Sequence, residues 1–177
     1  MTVLGLISSM LVKKITWASY GSHPDSWFFA YEMFDGTSTF QAGANIPPAL
    51  QQFIDRIRPV DDLCSFLRVQ LGKNDSFVAW AKTSWACYGV PAALETELCQ
   101  LSAAHMRFTT ITRGSLKGTL SQVAWHSDGT YFIEGQQGYF WHFESSVTYS
   151  AWVKLWSGKT AAPSLTELSE LVVSNFS

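Results

Sequence analysis

The sequence is poor in charge, and neither sign of charge is in large excess. Lysine, arginine, aspartate and glutamate make up 15% of the 177 residues and leave a net charge of −2, whereas an average globular protein has about 25% charged residues. No basic surface is available to collect phosphates, so the composition predicts no nucleic-acid partner. Because 47% of the residues are apolar, the chain can bury a substantial core, which argues against disorder as its main state.

Cysteine and long apolar runs are also scarce. The three cysteines Cys64, Cys87 and Cys99 are an odd number without Cys-x-x-Cys spacing, which argues against a disulfide framework and against a zinc site. The apolar run Val3–Ile7 is too short to span a bilayer, and lysines follow it, which is the reverse of a secretory signal. We therefore predict a cytoplasmic protein with no membrane partner, although a secreted protein whose signal has been removed would have the same sequence features.

The motifs of the common catalytic sites are missing. The chain contains no Gly-x-Ser-x-Gly, no P-loop, no dinucleotide fingerprint and no His-Glu-x-x-His. We therefore predict no cofactor and no bound metal. Any catalysis would have to come from side chains that the fold brings together.

Aromatic residues are the main surplus, with eight Trp, twelve Phe and six Tyr. They indicate extra buried surface, an aromatic-lined site or self-association, because aromatic side chains serve all three purposes. For any single aromatic residue, packing in the core or at an interface is the favoured interpretation.

Three passages carry nearly the same pattern, about 50 residues apart, as in repeated supersecondary units such as propeller blades. Each has a polar turn, then a Ser or Thr that opens an aromatic-rich strand. The three strand openings are Ser26–Phe29, Ser76–Ala79 and Thr130–Ile133, and they follow Asp25, Asn74-Asp75 and Asp128-Gly129 respectively. A Pro-led segment with leucines at helical spacing comes after each meander, at Pro48, Pro91 and Pro163.

These patterns predict a mainly β fold of repeated antiparallel meanders with short Pro-led helices. Within the meanders we predict a tight turn at Asp35-Gly36, a strand over Phe66–Leu71 and an inserted strand over Thr148–Trp156. The chain is interpreted as a single domain, 1–177, with three repeat units at about 11–59, 65–101 and 120–173. Residues 102–119 show little periodicity and are either an extra edge strand or a loop.

The unit resembles aromatic-rich repeats of fungal proteins, with Gly-x-Asp/Asn-x-Ser/Thr-aromatic-Phe-Val followed by Gly-x-Pro-x-x-Leu. The resemblance rests on Gly72–Val78 with Gly89–Leu94, on Asp128–Ile133, and more loosely on Gly21–Phe29 with Pro47–Leu50. It implies a β-propeller-like or partial-propeller architecture and assigns no catalytic residue.

Three units are fewer than the four to eight blades of a closed propeller. Each unit could hold more than one blade, the chain could be an open fragment, or two copies could complete one ring. A homo-oligomer, such as a homodimer, is therefore a hypothesis.

The third unit has the richest set of side chains for chemistry. Hairpin pairing would place Trp125 beside Tyr131 and Tyr131 beside His142, with Glu134 on the opposite face. His142 or Glu134 in an aromatic pocket could act as an acid or base. A hydrogen-bonded core histidine and a solvated glutamate are the more ordinary interpretations.

Two His-x-Asp pairs occupy corresponding turns, at His23-x-Asp25 and His126-x-Asp128. Two such pairs could bind a metal, but a zinc site needs a third protein ligand and the second unit has no histidine at this turn. Aspartate in a turn usually accepts hydrogen bonds from the nearby backbone, so we favour a structural role.

The sequence leaves three functions open. The first is a β-repeat protein that binds a small molecule or glycan on aromatic surfaces, as a lectin does. Its candidate ligand-binding residues are Trp125, His126, Tyr131, Trp141, Trp27 and Trp85. The alternative is a cofactor-independent cyclase, isomerase or pericyclic catalyst acting on an apolar secondary-metabolite intermediate. The third is a structural protein whose aromatic residues all pack.

Overall fold

The described part of the computed structural model is mainly β, with three antiparallel sheets and three short helices. It comprises residues 12–109, 111–144 and 150. Within these residues no helix combines the length and the apolar character needed to cross a bilayer.

The first sheet is a three-stranded meander with the order β1-β2-β3. Its strands are β1 (Val12–Tyr20), β2 (Trp27–Met33) and β3 (Ser38–Ala42). The predicted tight turn at Asp35-Gly36 joins β2 to β3. Gly36 adopts φ +84°, which suits glycine, and the Asp35 carboxylate accepts a hydrogen bond from Thr37 N at 2.9 Å.

The second sheet has five strands in the order β4-β5-β6-β8-β7. They are β4 (Arg68–Leu71), β5 (Phe77–Trp80), β6 (Ser84–Tyr88), β7 (Ser102–Arg107) and β8 (Thr112–Leu116). The region that the sequence left open thus forms a hairpin that extends the meander. Strand β8 pairs with β6, and β7 is the edge strand of this sheet in the described part of the chain.

The third sheet is again a meander, with the order β9-β10-β11. Its strands are β9 (Leu120–Trp125), β10 (Tyr131–Gly135) and β11 (Gly138–His142). The strand predicted at 148–156 and the helix predicted after Pro163 lie outside the described residues.

Prolines begin two of the helices. Helix α1 (Pro48–Ile57) has Pro47 at its N-cap, and α3 (Ala92–Gln100) has Pro91 there. Between them lies the single turn α2 (Leu63–Phe66), whose Asp62 cap accepts a hydrogen bond from Ser65 N at 3.2 Å. The strand predicted from Phe66 begins only at Arg68, because the Asp62 cap stabilises a helical turn that includes Phe66.

The three repeated turns are closed by the same backbone hydrogen bond. In each, the backbone N–H before the turn donates to the carbonyl of the Ser or Thr after it, from Gly21 to Ser26, Gly72 to Ser76 and His126 to Thr130, at 2.7–2.8 Å. All three of these Ser and Thr residues are buried. In each of the three units, the Ser or Thr is therefore the residue at which the backbone enters the core.

The turns differ in how they achieve this. In the first, Pro24 precedes Asp25 at φ +60°, the pattern of a type II turn, and in the second Asn74 and Asp75 both have positive φ, as in a type I′ turn. In the third, Gly129 N donates to His126 O at 3.1 Å and Gly129 itself is left-handed at φ +104°. Asn, Asp and Gly tolerate these conformations best, which explains the turn residues in all three copies.

The sheets stack face to face and share two cores. One core joins the first two sheets and α1 through residues such as Phe28, Phe77 and Leu50. The other joins the second and third sheets and α3 through residues such as Trp80, Ile133 and Leu94. The described residues form no closed barrel or propeller.

Candidate functional site

The third sheet has the register expected from the sequence. Tyr131 lies between Trp125 on β9 and His142 on β11, and Phe132 lies opposite Trp141. Tyr131 is buried and its ring stacks on that of His142, with 6.0 Å between the ring centroids.

The Tyr131 hydroxyl is directed at helix α3. It donates a hydrogen bond to Glu97 Oε2 at 3.2 Å. Burial, and then the nearby Glu97 charge, raise the pKa of Tyr131 to about 12. Tyr131 is therefore a neutral hydrogen-bond donor at physiological pH, and the Glu97 carboxylate accepts the hydrogen bond that its hydroxyl can donate.

The remaining candidates in the third unit form two histidine–carboxylate pairs. His142 Nε2 lies 2.8 Å from Glu144 Oε1, and His126 Nδ1 lies 3.2 Å from Asp128 Oδ1. The backbone bond from Thr130 N to Asp128 holds the second pair in its turn.

Glu134 lies apart from these pairs. It is half-buried on β10 between Gln122 and Tyr139 of the neighbouring strands. The fold thus keeps His142 and Glu134, the two acid–base candidates, in different surroundings.

The four tryptophans predicted to bind a ligand are dispersed. Trp27 lies on the first sheet, where its ring meets Phe29, and Trp85 is fully buried in the second core. Trp125 is half-buried against the second core, and Trp141 is exposed on β11, the outer strand of the third sheet among the described residues. They form no single aromatic platform.

A pocket of about 320 Å³ opens between the start of α1 and the second repeated turn. We call it the Tyr88 pocket. Its walls are Pro47, Pro48, Ala49 and Gln52 on one side and Asn74, Asp75 and Tyr88 on the other. This size lies in the range of small-molecule sites.

Polar groups without a protein partner converge on the Tyr88 pocket. Among the described residues, no hydrogen bond engages the side-chain amides of Gln52 and Asn74 or the hydroxyl of Tyr88, which is 40% exposed. The Tyr88 ring packs at a tilt against the Phe77 ring, with 6.4 Å between the ring centroids. The pocket therefore combines an anchored aromatic ring with free donors and acceptors.

The first repeated turn supports the second. Ser22 Oγ accepts a hydrogen bond from Asn74 N at 3.2 Å, and His23 Nε2 lies 3.5 Å from Asp75 Oδ1. The His23 partner is thus Asp75 of the next unit. These contacts fix the turn that presents Asn74 and Asp75 to the pocket.

The repeat places His142 at the position of Tyr88. Tyr88 pairs with Phe77 on the neighbouring strand, just as His142 pairs with Tyr131. The preceding helices correspond as well, because Pro47 and Pro91 occupy the same N-cap position and Glu97 then corresponds to Phe53. Phe53 and Phe77 thus belong to one apolar core, whereas the corresponding Glu97 and Tyr131 share a hydrogen bond.

Sequence reasoning missed the Tyr88 pocket. Its residues come from three separated segments, and only Asn74 and Asp75 belong to the repeated turn. The one useful signal in the sequence was the repeat, which places a Pro-led helix directly before the first strand and turn of the following unit.

Comparisons with protein-family models, with curated proteins and with solved structures find no match to this chain. The resemblance to fungal repeat proteins therefore stays a prediction.

Proposed function

We propose that the chain is a ligand-binding β-repeat protein and that the Tyr88 pocket takes a neutral sugar or a similar polyol. The observation that carries this proposal is the convergence of free amide and hydroxyl groups beside an exposed tyrosine ring. Sugars present an apolar C–H face and several hydroxyls, which match an aromatic face with polar groups at its edge.

Each wall would have a distinct task. The Tyr88 ring stacks on the C–H face of the sugar, while the Asn74 and Gln52 amides both donate and accept hydrogen bonds. Asp75 Oδ1 faces His23, so Oδ2 is left to accept hydrogen bonds from sugar hydroxyls. The Asp75 charge also repels anionic ligands, which favours neutral sugars over uronic acids.

The proposal includes a propeller-like arrangement of the units. It is supported by the equivalent turns, by the Pro-capped helices and by the stacking of the sheets. Further notches of this kind in a completed ring would allow more than one sugar to bind, which would raise avidity. A homo-oligomer that completes the ring stays a hypothesis.

Replacing Tyr88 should weaken sugar binding selectively. Tyr88→Ala removes the stacking surface, so we expect about tenfold weaker binding or more, whereas Tyr88→Phe keeps the ring and should lose about threefold. The measurement is isothermal titration calorimetry with glucose, galactose, mannose, fucose and N-acetylglucosamine. Tyr139→Ala is the matched control, because Tyr139 is 38% exposed but lies on the third sheet.

Two turn variants sharpen this test. Asn74→Gly keeps the positive φ of the turn but removes the amide, and it should weaken binding severalfold. Asp75→Asn should narrow the preference for glucose over glucuronate, because it removes the repelling charge. Equal affinity in wild type and Tyr88→Ala, or no binding of any sugar in the panel, would contradict the proposal.

The second candidate function is a cofactor-independent enzyme. The observation that favours it is the 2.8 Å contact between His142 Nε2 and Glu144 Oε1, since a carboxylate partner orients an imidazole for acid–base work. We expect His142→Asn to abolish conversion of apolar polyene substrates, followed by mass spectrometry, while Tyr139→Ala retains it. Conversion that survives His142→Asn, or none by wild type, would count against catalysis.

A further inference from the structure

A groove of about 370 Å³ lies at the other end of α1, away from the Tyr88 pocket. We call it the arginine groove. The helix provides Phe53, Arg56 and Ile57, and Val60 follows just after it. The floor comes from strands β6, β8 and β7, with Ser84, Trp85, Ala104, His105, Met106, Arg113, Gly114 and Ser115.

The strand register places apolar and cationic side chains on the same face of the sheet, at the floor of the groove. Arg113 is opposite Ala86 on one side and Met106 on the other, and Ser115 is likewise flanked by Ser84 and Ala104. Residues directly opposite in a sheet point to the same face. Arg113 and Met106 therefore project together on the side that lines the groove.

Large apolar side chains at the groove are exposed to solvent. Val60 is 74% exposed and Met106 is 61% exposed. Phe108, at the end of the β7–β8 hairpin, is 41% exposed and lies under the Arg113 guanidinium at 4.6 Å. Exposed apolar side chains around a concave surface are a mark of binding sites.

Two arginines at this groove have no anionic partner. Among the described residues, no carboxylate lies within ion-pair distance of Arg56 or Arg113, whereas the neighbouring Arg58 faces Asp55 at 3.8 Å. The nearby Asp61 carboxylate accepts hydrogen bonds from the Thr83 hydroxyl at 3.0 and 3.1 Å.

The two charges also act on each other. Burial lowers the pKa of Arg113, and the Arg56 charge lowers it further. An anion in the groove would relieve this repulsion. A guanidinium resting on an aromatic ring still has its N–H groups free to bind a carboxylate, sulfonate or phosphate.

We propose that the arginine groove is a second binding site, for a small anionic amphiphile whose head group binds Arg56 and Arg113 and whose apolar tail covers Met106 and Val60. This site is independent of the Tyr88 pocket, because the two share no lining residue. Its volume fits a small molecule. The charges of Arg56 and Arg113 favour an anionic head group, and the exposed side chains of Met106 and Val60 favour an apolar tail.

The test is calorimetric titration of the full chain with octanoate, octyltrimethylammonium and acetate. Octanoate should bind, while the ammonium compound lacks the anion and acetate lacks the tail, so each should bind at least about tenfold more weakly. Equal binding of octanoate and octyltrimethylammonium, or no binding of octanoate, would overturn the proposal. Acetate binding as tight as octanoate would reduce the site to one for free anions and would also overturn it.

Arginine variants then locate the bound octanoate. Arg113→Gln and Arg56→Gln should each weaken it by about tenfold, because each removes a charged hydrogen bond. Arg58→Gln, at the C-cap of the same helix, is the matched control and should change the affinity less than twofold. If Arg113→Gln fails to fold, the exposed Arg56 carries the test; equal losses in Arg56→Gln and Arg58→Gln would contradict a specific site.

Discussion

Trp80→Ala is expected to lower the free energy of unfolding by about 3–5 kcal/mol, the range for deleting a large buried aromatic side chain. Trp80 is 1% exposed in the core between the second and third sheets. Its ring meets Trp17 of the first sheet edge to face at 5.2 Å, and its Nε1 donates to Leu120 O of the third sheet at 3.0 Å. One side chain therefore contacts all three sheets, and chemical denaturation followed by fluorescence and circular dichroism should show the loss.

Two conservative variants separate the hydrogen bond from the packing. Trp80→Phe loses the bond to Leu120 O, whereas Trp85→Phe loses none, because the buried Trp85 Nε1 has no partner among the described residues. Trp80→Phe should therefore cost about 1 kcal/mol more than Trp85→Phe. Equal costs would show that the bond to Leu120 O contributes nothing, and a Trp80→Ala variant as stable as wild type would show that the sheets do not pack at Trp80.

Gly43→Ala is the second substitution with a large expected effect. A Cβ at Gly43 would stand 1.8 Å from the Asp25 carbonyl oxygen and 2.9 Å from Trp27 Nε1. Since the obstacle is the backbone of the first repeated turn, relief requires the turn to move. We expect a loss of stability near the upper end of the usual overpacking range of about 1–3 kcal/mol.

Gly118→Ala is the matched control for this clash. Its Cβ would meet the flexible Gln136 side chain at 3.0 Å, which can rotate away. Thermal unfolding of both variants should show a lower midpoint for Gly43→Ala and little change for Gly118→Ala. An unchanged midpoint for Gly43→Ala would mean that the first turn is not held against the end of β3.

The sequence predicted those parts of the fold whose signal is local. The Asp35-Gly36 turn, the Pro-led start of α1 and the three strands of the third meander all depend on neighbouring residues. The pairing of Tyr131 with Trp125 and His142 followed from short turns and strand alternation.

Other parts were decided by tertiary contacts. The β7 strand sequence has no alternating pattern, with five of six residues exposed, and it becomes a strand through pairing with β8, which in turn pairs with β6. The two candidate binding sites likewise draw on segments far apart in the chain. Trp85 is predicted at a ligand surface, but it packs in the core with the third sheet and α3, which buries it fully.

The candidate site also explains why the aromatic surplus was a poor guide to function. Several of the large rings in the described residues fill the two cores between sheets, including Phe28, Phe77 and Trp80. The Tyr88 pocket uses one ring, and its other polar side chains are the Gln52 amide from α1 and the Asn74 amide and Asp75 carboxylate from the second turn. Function would thus depend on where a ring meets a polar turn at the surface.

Amide chemical shifts of the ¹⁵N-labelled full chain, titrated with the tightest-binding neutral sugar of the panel, test the central proposal most directly. Binding in the Tyr88 pocket predicts the largest changes at residues 47–52, 73–76 and 87–89, and their loss in Tyr88→Ala. Changes centred instead on β9–β11 around Trp141 and His142, or no changes at all, would contradict it.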